Sequence, residues 1–101
     1  MIKLDTINKI GIVGAGTMGQ GIAQVCATAG YVVILYDIEP TITEKAYQRI
    51  NKSFDKAVEK GKLSKEEKEE AIKRIGLTNS IERVTADVII EAAVEKLDVK
   101  I

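Results

Sequence analysis

The 101 residues contain no histidine, no tryptophan, one cysteine and one proline, and aromatic residues make up only 4%. The missing histidine excludes most. Histidine is the commonest general acid–base group at neutral pH, so any proton transfer here uses other groups or groups outside these residues. The single Cys26 cannot form an internal disulfide, which suits a reducing compartment. No cluster of cysteine and histidine offers a zinc site, and no metal ligand set is assigned. The longest apolar run, Tyr31 to Tyr36, is six residues, too short to span a membrane. Charges stand in the first residues where a secretory signal would need an apolar stretch, so a cytoplasmic protein is expected. Fifteen basic and fifteen acidic side chains cancel, which gives no reason to expect a nucleic-acid partner.

What remains is the composition of one soluble globular domain, with 46% apolar and 30% charged residues. A chain of this length buries roughly 60–70% of its unfolded surface. Ile7 to Val13 reads as a strand and Thr17 to Ala29 as a helix, with Ile22, Val25, Cys26 and Ala29 as its apolar stripe and Gly30 just past its end. Tyr31 to Tyr36 is a continuous β-branched and aromatic run, the pattern of a strand buried on both faces. Pro40 can open a helix whose stripe is Ile42, Ala46, Ile50, Phe54 and Ala57 or Val58, and which Gly61 ends. Ser64 with Glu67 forms a capping box for a second helix to about Arg74, closed by Gly76. A weak strand is expected at Leu77–Thr78 and a stronger one at Asp87–Glu91, and Lys96 to Ile101 reads as the start of a helix. Alternation of this kind predicts an α/β fold, a doubly wound parallel sheet of Rossmann type with strand order 3-2-1-4 and a helical hairpin inserted after the second strand. The outer side of the fourth strand is expected to be unpaired, an edge that would leave the chain marginal, or let copies self-associate through it or swap elements.

Gly14-Ala15-Gly16-Thr17-Met18-Gly19 is the G-x-G-x-x-G pattern, placed between a strand and a helix. Asp37 ends the next strand 18 residues past Gly19. Together these make the dinucleotide-binding fingerprint. Gly14 allows the tight turn, Gly16 lets a pyrophosphate approach the backbone, and Gly19 lets the helix pack closely. Thr17 and Met18 open that helix, whose N-terminus favours phosphate. The Asp37 carboxylate can accept from both adenosine ribose hydroxyls and would repel a 2′-phosphate, which favours NAD over NADP. The structural alternative is that the glycines only make a turn and Asp37 only starts a loop.

Lys45, Arg49, Lys52, Lys56 and Lys60 share one helix face, and Glu44 to Lys62 holds six basic and three acidic residues. From charge alone this is a solvated face, with a groove for a polyanionic thioester as the sharper alternative. Tyr31, Tyr36 and Tyr47 are followed four residues on by Leu35, Pro40 and Asn51, so the Tyr-x-x-x-Lys pair of short-chain dehydrogenases is absent. No Gly-Lys-Ser/Thr follows the glycine loop, which removes a P-loop. Cys26, on the apolar side of its helix, reads as core packing.

These residues resemble the 3-hydroxyacyl-CoA dehydrogenases, most nearly the bacterial 3-hydroxybutyryl-CoA branch. The resemblance runs from about Lys9 to Ile101 and rests on residues 10 to 24, on the helical pair between Pro40 and Arg74, and on Val88 to Lys100. It implies oxidation of a (3S)-3-hydroxyacyl-CoA to the 3-oxoacyl-CoA by NAD, or the reverse. It implies that Ala92, Glu95 and Lys100 line the nicotinamide side, and that Ser53 and Lys60, seven apart on one helix face, touch the CoA. It further implies that the catalytic serine, histidine, glutamate and asparagine lie beyond Ile101, so no catalytic residue is assigned within the chain. Residues 1–101 would then be the N-terminal part of an NAD-binding domain, with the rest of that domain and a C-terminal helical domain absent, and the whole protein a homodimer. Two other readings stay open: a stand-alone dinucleotide-binding module without catalysis, and a Rossmann dehydrogenase for another 3-hydroxy acid.

Overall fold

The computed structural model describes residues 7–92 and 98–100. β1 (Lys9–Val13), β2 (Val32–Tyr36), β3 (Ile75–Thr78), β4 (Val88–Glu91) and β5 (Asp98–Lys100) form one sheet in the order β3-β2-β1-β4-β5. The first four strands are parallel, in the expected order 3-2-1-4. Their register brings Val13, Tyr36, Thr78 and Glu91 level at one edge, so the residues after each strand share one rim.

Helices α1 (Thr17–Thr28), α2 (Pro40–Glu59) and α3 (Lys65–Lys73) connect these strands. Ile10, Ile12, Val33 and Leu35 form one core with Ala23 and Ala27 of α1, Ala46, Ile50 and Phe54 of α2, and Ala71 of α3. Pro40 stands at the start of α2, where its missing N–H costs nothing. Gly61, at φ +73°, follows the C-cap Lys60. At α3 the capping box is complete: Ser64 Oγ accepts the Glu67 N–H at 3.1 Å, and Glu67 Oε1 accepts the Ser64 N–H at 2.9 Å.

Several expectations change. The face that α1 buries is Gly19, Gln20, Ala23 and Ala27, while Val25 is 71% exposed, Ala29 is exposed, and Ile22 and Cys26 are half-buried. Small residues win that face because the helix lies hard against the sheet. Burial of the Cys26 thiol pushes its pKa up. β2 is not covered on both faces: Val33 and Leu35 are fully buried but Val32 is 46% exposed, because all three helices share one core. β1 starts at Lys9 rather than Ile7, and Asp87 holds its start: the Asp87 Oδ2 accepts from the Asn8 N–H at 2.9 Å and the Lys9 N–H at 3.0 Å.

Gly76 does not close α3. It lies within β3, and Arg74 is the C-cap, its guanidinium donating to the Ala27 carbonyl at 2.9 Å. A 3-10 turn at Ile81–Arg83, not expected from the sequence, leads toward β4. Residues 98–100 are a strand rather than a helix, and they pair antiparallel with β4. The outer side of β4 is therefore paired, and the expected open edge is not there. Backbone N–H and C=O groups need partners, and the following chain supplies them. Among the described residues no helix is long and apolar enough to cross a membrane.

Candidate functional site

The site is built at the rim where the parallel strands end. Gly14 leaves β1 at φ +109°, a conformation costly to any residue with a Cβ, and its N–H donates to the Tyr36 carbonyl at 2.7 Å. Gly16 is the N-cap of α1 and offers no side chain to the helix end, whose first intrahelical bond runs from the Gln20 N–H to the Gly16 carbonyl at 2.9 Å. The N–H groups of the first turn, on Thr17, Met18 and Gly19, are thus without a side-chain cap. A Cβ on Gly16 would meet nothing within 4 Å, so its bareness serves space outside the protein. Gly19 is the opposite case: a Cβ there would stand 1.9 Å from the Gly14 carbonyl oxygen. One glycine keeps the loop open and another holds helix to turn. Thr17 and Met18 are both exposed beside the loop.

Asp37, the residue after β2, faces this loop. Its Oδ2 accepts the Ala15 N–H at 3.0 Å and its Oδ1 accepts the Glu39 N–H at 3.0 Å. A carboxylate has about four lone-pair sites, so two remain for a ligand. Val13, Gly14, Tyr36, Asp37 and Ile38 line a cleft of about 260 Å³. A carboxylate with spare acceptor sites in the wall of this cleft, with the bare Gly16 and the uncapped helix end following two residues after its Gly14 wall, fits the ribose and phosphates of a dinucleotide. The chain turns from β3 across to β4, so the strand order reverses beside β1, where such ligands bind in open α/β sheets.

The remaining expected positions scatter. Ala92 follows β4 at this rim, is buried, and gives its N–H to the Val13 carbonyl at 2.8 Å. Glu95 lies outside the described residues, and Lys100 falls in β5. Ser53 is exposed and lines a cavity of about 440 Å³ between α1 and α2, with Val25, Phe54, Ala57, Lys62 and Leu63 among its walls. Lys60 is the C-cap of α2, already outside the helix, and does not line that cavity. The five residues of the basic stripe are all exposed, and none has an ion-pair partner among the described residues.

Two supporting residues escape a sequence reading. Gln20 is buried, and its Nε2 donates to the Ala15 carbonyl at 3.0 Å, bracing the loop from beneath. A polar side chain on the buried face of α1, one turn after the glycines, is its only trace in the sequence. Asn79 donates to the Asp37 carbonyl, a contact invisible until the register of β2 and β3 is known.

Residues 9–101 match the family model described as 3-hydroxyacyl-CoA dehydrogenase, NAD binding domain. A probable 3-hydroxybutyryl-CoA dehydrogenase of Bacillus subtilis (strain 168) is 39% identical over 95 residues, which are 93% of this chain and 33% of that protein. A 3-hydroxyadipyl-CoA dehydrogenase of Escherichia coli (strain K12) is 41% identical over 101 residues, 99% of this chain and 21% of that protein. Among solved structures, (S)-3-hydroxybutyryl-CoA dehydrogenase from Ralstonia eutropha superposes with a TM-score of 0.85 at 40% identity, covering 90% of this chain and 32% of the other. The chain therefore spans between about a fifth and a third of the length of these relatives.

Proposed function

Because this chain belongs to the 3-hydroxyacyl-CoA dehydrogenase family and corresponds to its NAD-binding domain, we propose that it supplies the cofactor-binding part of an enzyme. That enzyme oxidises (3S)-3-hydroxyacyl-CoA, 3-hydroxybutyryl-CoA first among candidates, to the 3-oxoacyl-CoA, or runs the reverse reduction. The observation that carries this reading is the cleft shared by Gly14 and Asp37 beside the uncapped start of α1. Bound there, NAD would supply the hydride acceptor for the substrate's C3, or NADH the hydride for the reverse reduction. The two unused acceptor sites of Asp37 match the two hydroxyls of an adenosine ribose. The bare Gly16 and the first-turn N–H groups of α1 receive the pyrophosphate.

Ala92, Glu95 and Lys100 are assigned to the nicotinamide side, and Ser53 and Lys60 to the acyl-CoA. The proton of the substrate hydroxyl needs a base near neutral pH, and these residues hold no histidine. Catalytic groups are accordingly assigned outside residues 1–101, in a protein that works in the cytoplasm as a homodimer.

The test is NADH absorbance on mixing the whole protein with 3-hydroxybutyryl-CoA and NAD. Turnover is expected, and Asp37→Ala should weaken NAD by about tenfold to a hundredfold, the value of one charge-assisted hydrogen bond. No oxidation of any 3-hydroxyacyl-CoA by the whole protein, or turnover by purified residues 1–101 alone, would overturn the assignment.

A further inference from the structure

The turn that carries Asp37 has little apolar burial to hold it, since Ile38, Glu39 and Pro40 are all exposed. Polar contacts from the next strand hold it instead. The Asp37 N–H donates to the Thr78 carbonyl at 3.2 Å. The Asn79 side-chain amide donates to the Asp37 carbonyl at 2.9 Å and to Thr43 Oγ1 at 3.0 Å. The orientation of that amide is dictated by its partners. A carbonyl oxygen can only accept, and Thr43 gives its own hydroxyl hydrogen to the Pro40 carbonyl at 2.9 Å, so it too must accept. Both Asn79 hydrogens are thereby used, and the amide bridges the end of β2 to the first turn of α2.

We propose that Asn79 is a positioning residue for cofactor selection: by clamping the Asp37 carbonyl to Thr43 it fixes the direction in which the Asp37 carboxylate meets the adenosine ribose. The inference rests on the reading of Asp37 as the ribose-holding residue. Residues 78 and 79 grip the N–H and the C=O of Asp37, while Ala15 and Glu39 hold its carboxylate. Removing Asn79 frees the rotation of the peptide that follows Asp37, and the carboxylate then points at the ribose only part of the time. Both consequences act on one cofactor position: the ribose diol loses its aligned acceptors, and a 2′-phosphate meets less repulsion.

The experiment is calorimetric titration of NAD and NADP into the whole protein and into Asn79→Ala, Asp37→Ala and the double variant, with steady-state kinetics alongside. Asn79→Ala should weaken NAD about threefold to tenfold, the loss of one neutral hydrogen bond, and NADP less, so that the preference narrows. The KM for NAD should rise, with kcat and the KM for acyl-CoA unchanged. Added to Asp37→Ala, the substitution should cost nothing further. Equal weakening of NAD and NADP, or an undiminished effect in the Asp37→Ala background, overturns the proposal. An Asp37→Ala variant with wild-type NAD affinity instead overturns the reading of Asp37, and with it this inference. Should Asn79→Ala fail to fold, Asn79→Asp keeps the size and replaces the donor to Asp37 with an acceptor. The same narrowed preference is then expected, and wild-type NAD affinity in that variant overturns the proposal.

Discussion

Asp37 Oδ2 and the Ala15 N–H meet at 3.0 Å, which joins the carboxylate after β2 to the glycine turn after β1. The two halves of the fingerprint are therefore one hydrogen-bonded unit. Asp37→Asn separates its roles, because the amide oxygen can still accept from Ala15 while the negative charge is gone. In Asp37→Asn the Ala15 amide should keep its hydrogen-exchange protection and NADP should bind more tightly than in wild type. In Asp37→Ala the protection of Ala15 should fall. Unchanged Ala15 exchange in Asp37→Ala would show that this contact contributes nothing in solution.

Gly16 and Gly19 should fail in different ways. Gly16→Val projects into open space, so circular dichroism should stay native while NAD binding collapses. Gly19→Ala drives a methyl into the Gly14 carbonyl, and crowding of this kind costs about 1–3 kcal/mol or more, so the urea midpoint should fall along with binding. A Gly16→Val protein that still binds NAD tightly would reduce the loop to a turn.

The Lys60 face is tested by charge reversal. Lys60→Glu should raise the KM for acyl-CoA and leave NAD affinity unchanged, with the effect shrinking as salt rises. A KM that does not move at any salt concentration would return the stripe to a solvated surface.

Acid should loosen the start of β1. The Asn8 and Lys9 backbone N–H groups hold the Asp87 carboxyl below its ordinary range, and the Ser64 backbone N–H does the same for Glu67. A carboxylate whose pKa is lower folded than unfolded stabilises the fold above its unfolded value, about 4, and that stability is lost as pH falls through the folded value. The urea midpoint should therefore drop below about pH 4, and less steeply in Asp87→Ala than in wild type. Parallel pH profiles for the two proteins would rule out Asp87 as a source of the acid sensitivity.

The four parallel strands and the glycine turn are legible in the sequence because each depends on contiguous residues: a β-branched run, a glycine triplet, a terminal carboxylate. Side-chain burial on α1 is less so. Ile22 and Cys26 of the expected stripe do pack against the core, but Val25 is exposed, and the fully buried positions are Ala23 and Ala27, on the same face as Gly19 where the helix meets the Gly14 turn. The pairing of 98–100 with β4 and the clamp of Asn79 on Asp37 join residues distant in the chain, and no local pattern announces them.

The small residues on the inner face of α1 have a consequence for aim. The helix is about 18 Å long, and Ala27 lies near the end away from the glycine loop. Gly19 is pressed on the turn beneath it, and Ala23 and Ala27 are fully buried in the core along the arm of the helix beyond it. A larger side chain at position 27 would lift that arm, tilt the axis and swing the first-turn N–H groups off their line, with every loop residue unchanged. The direction of the positive helix end is thus stored at its other end, in the absence of a few methyl groups.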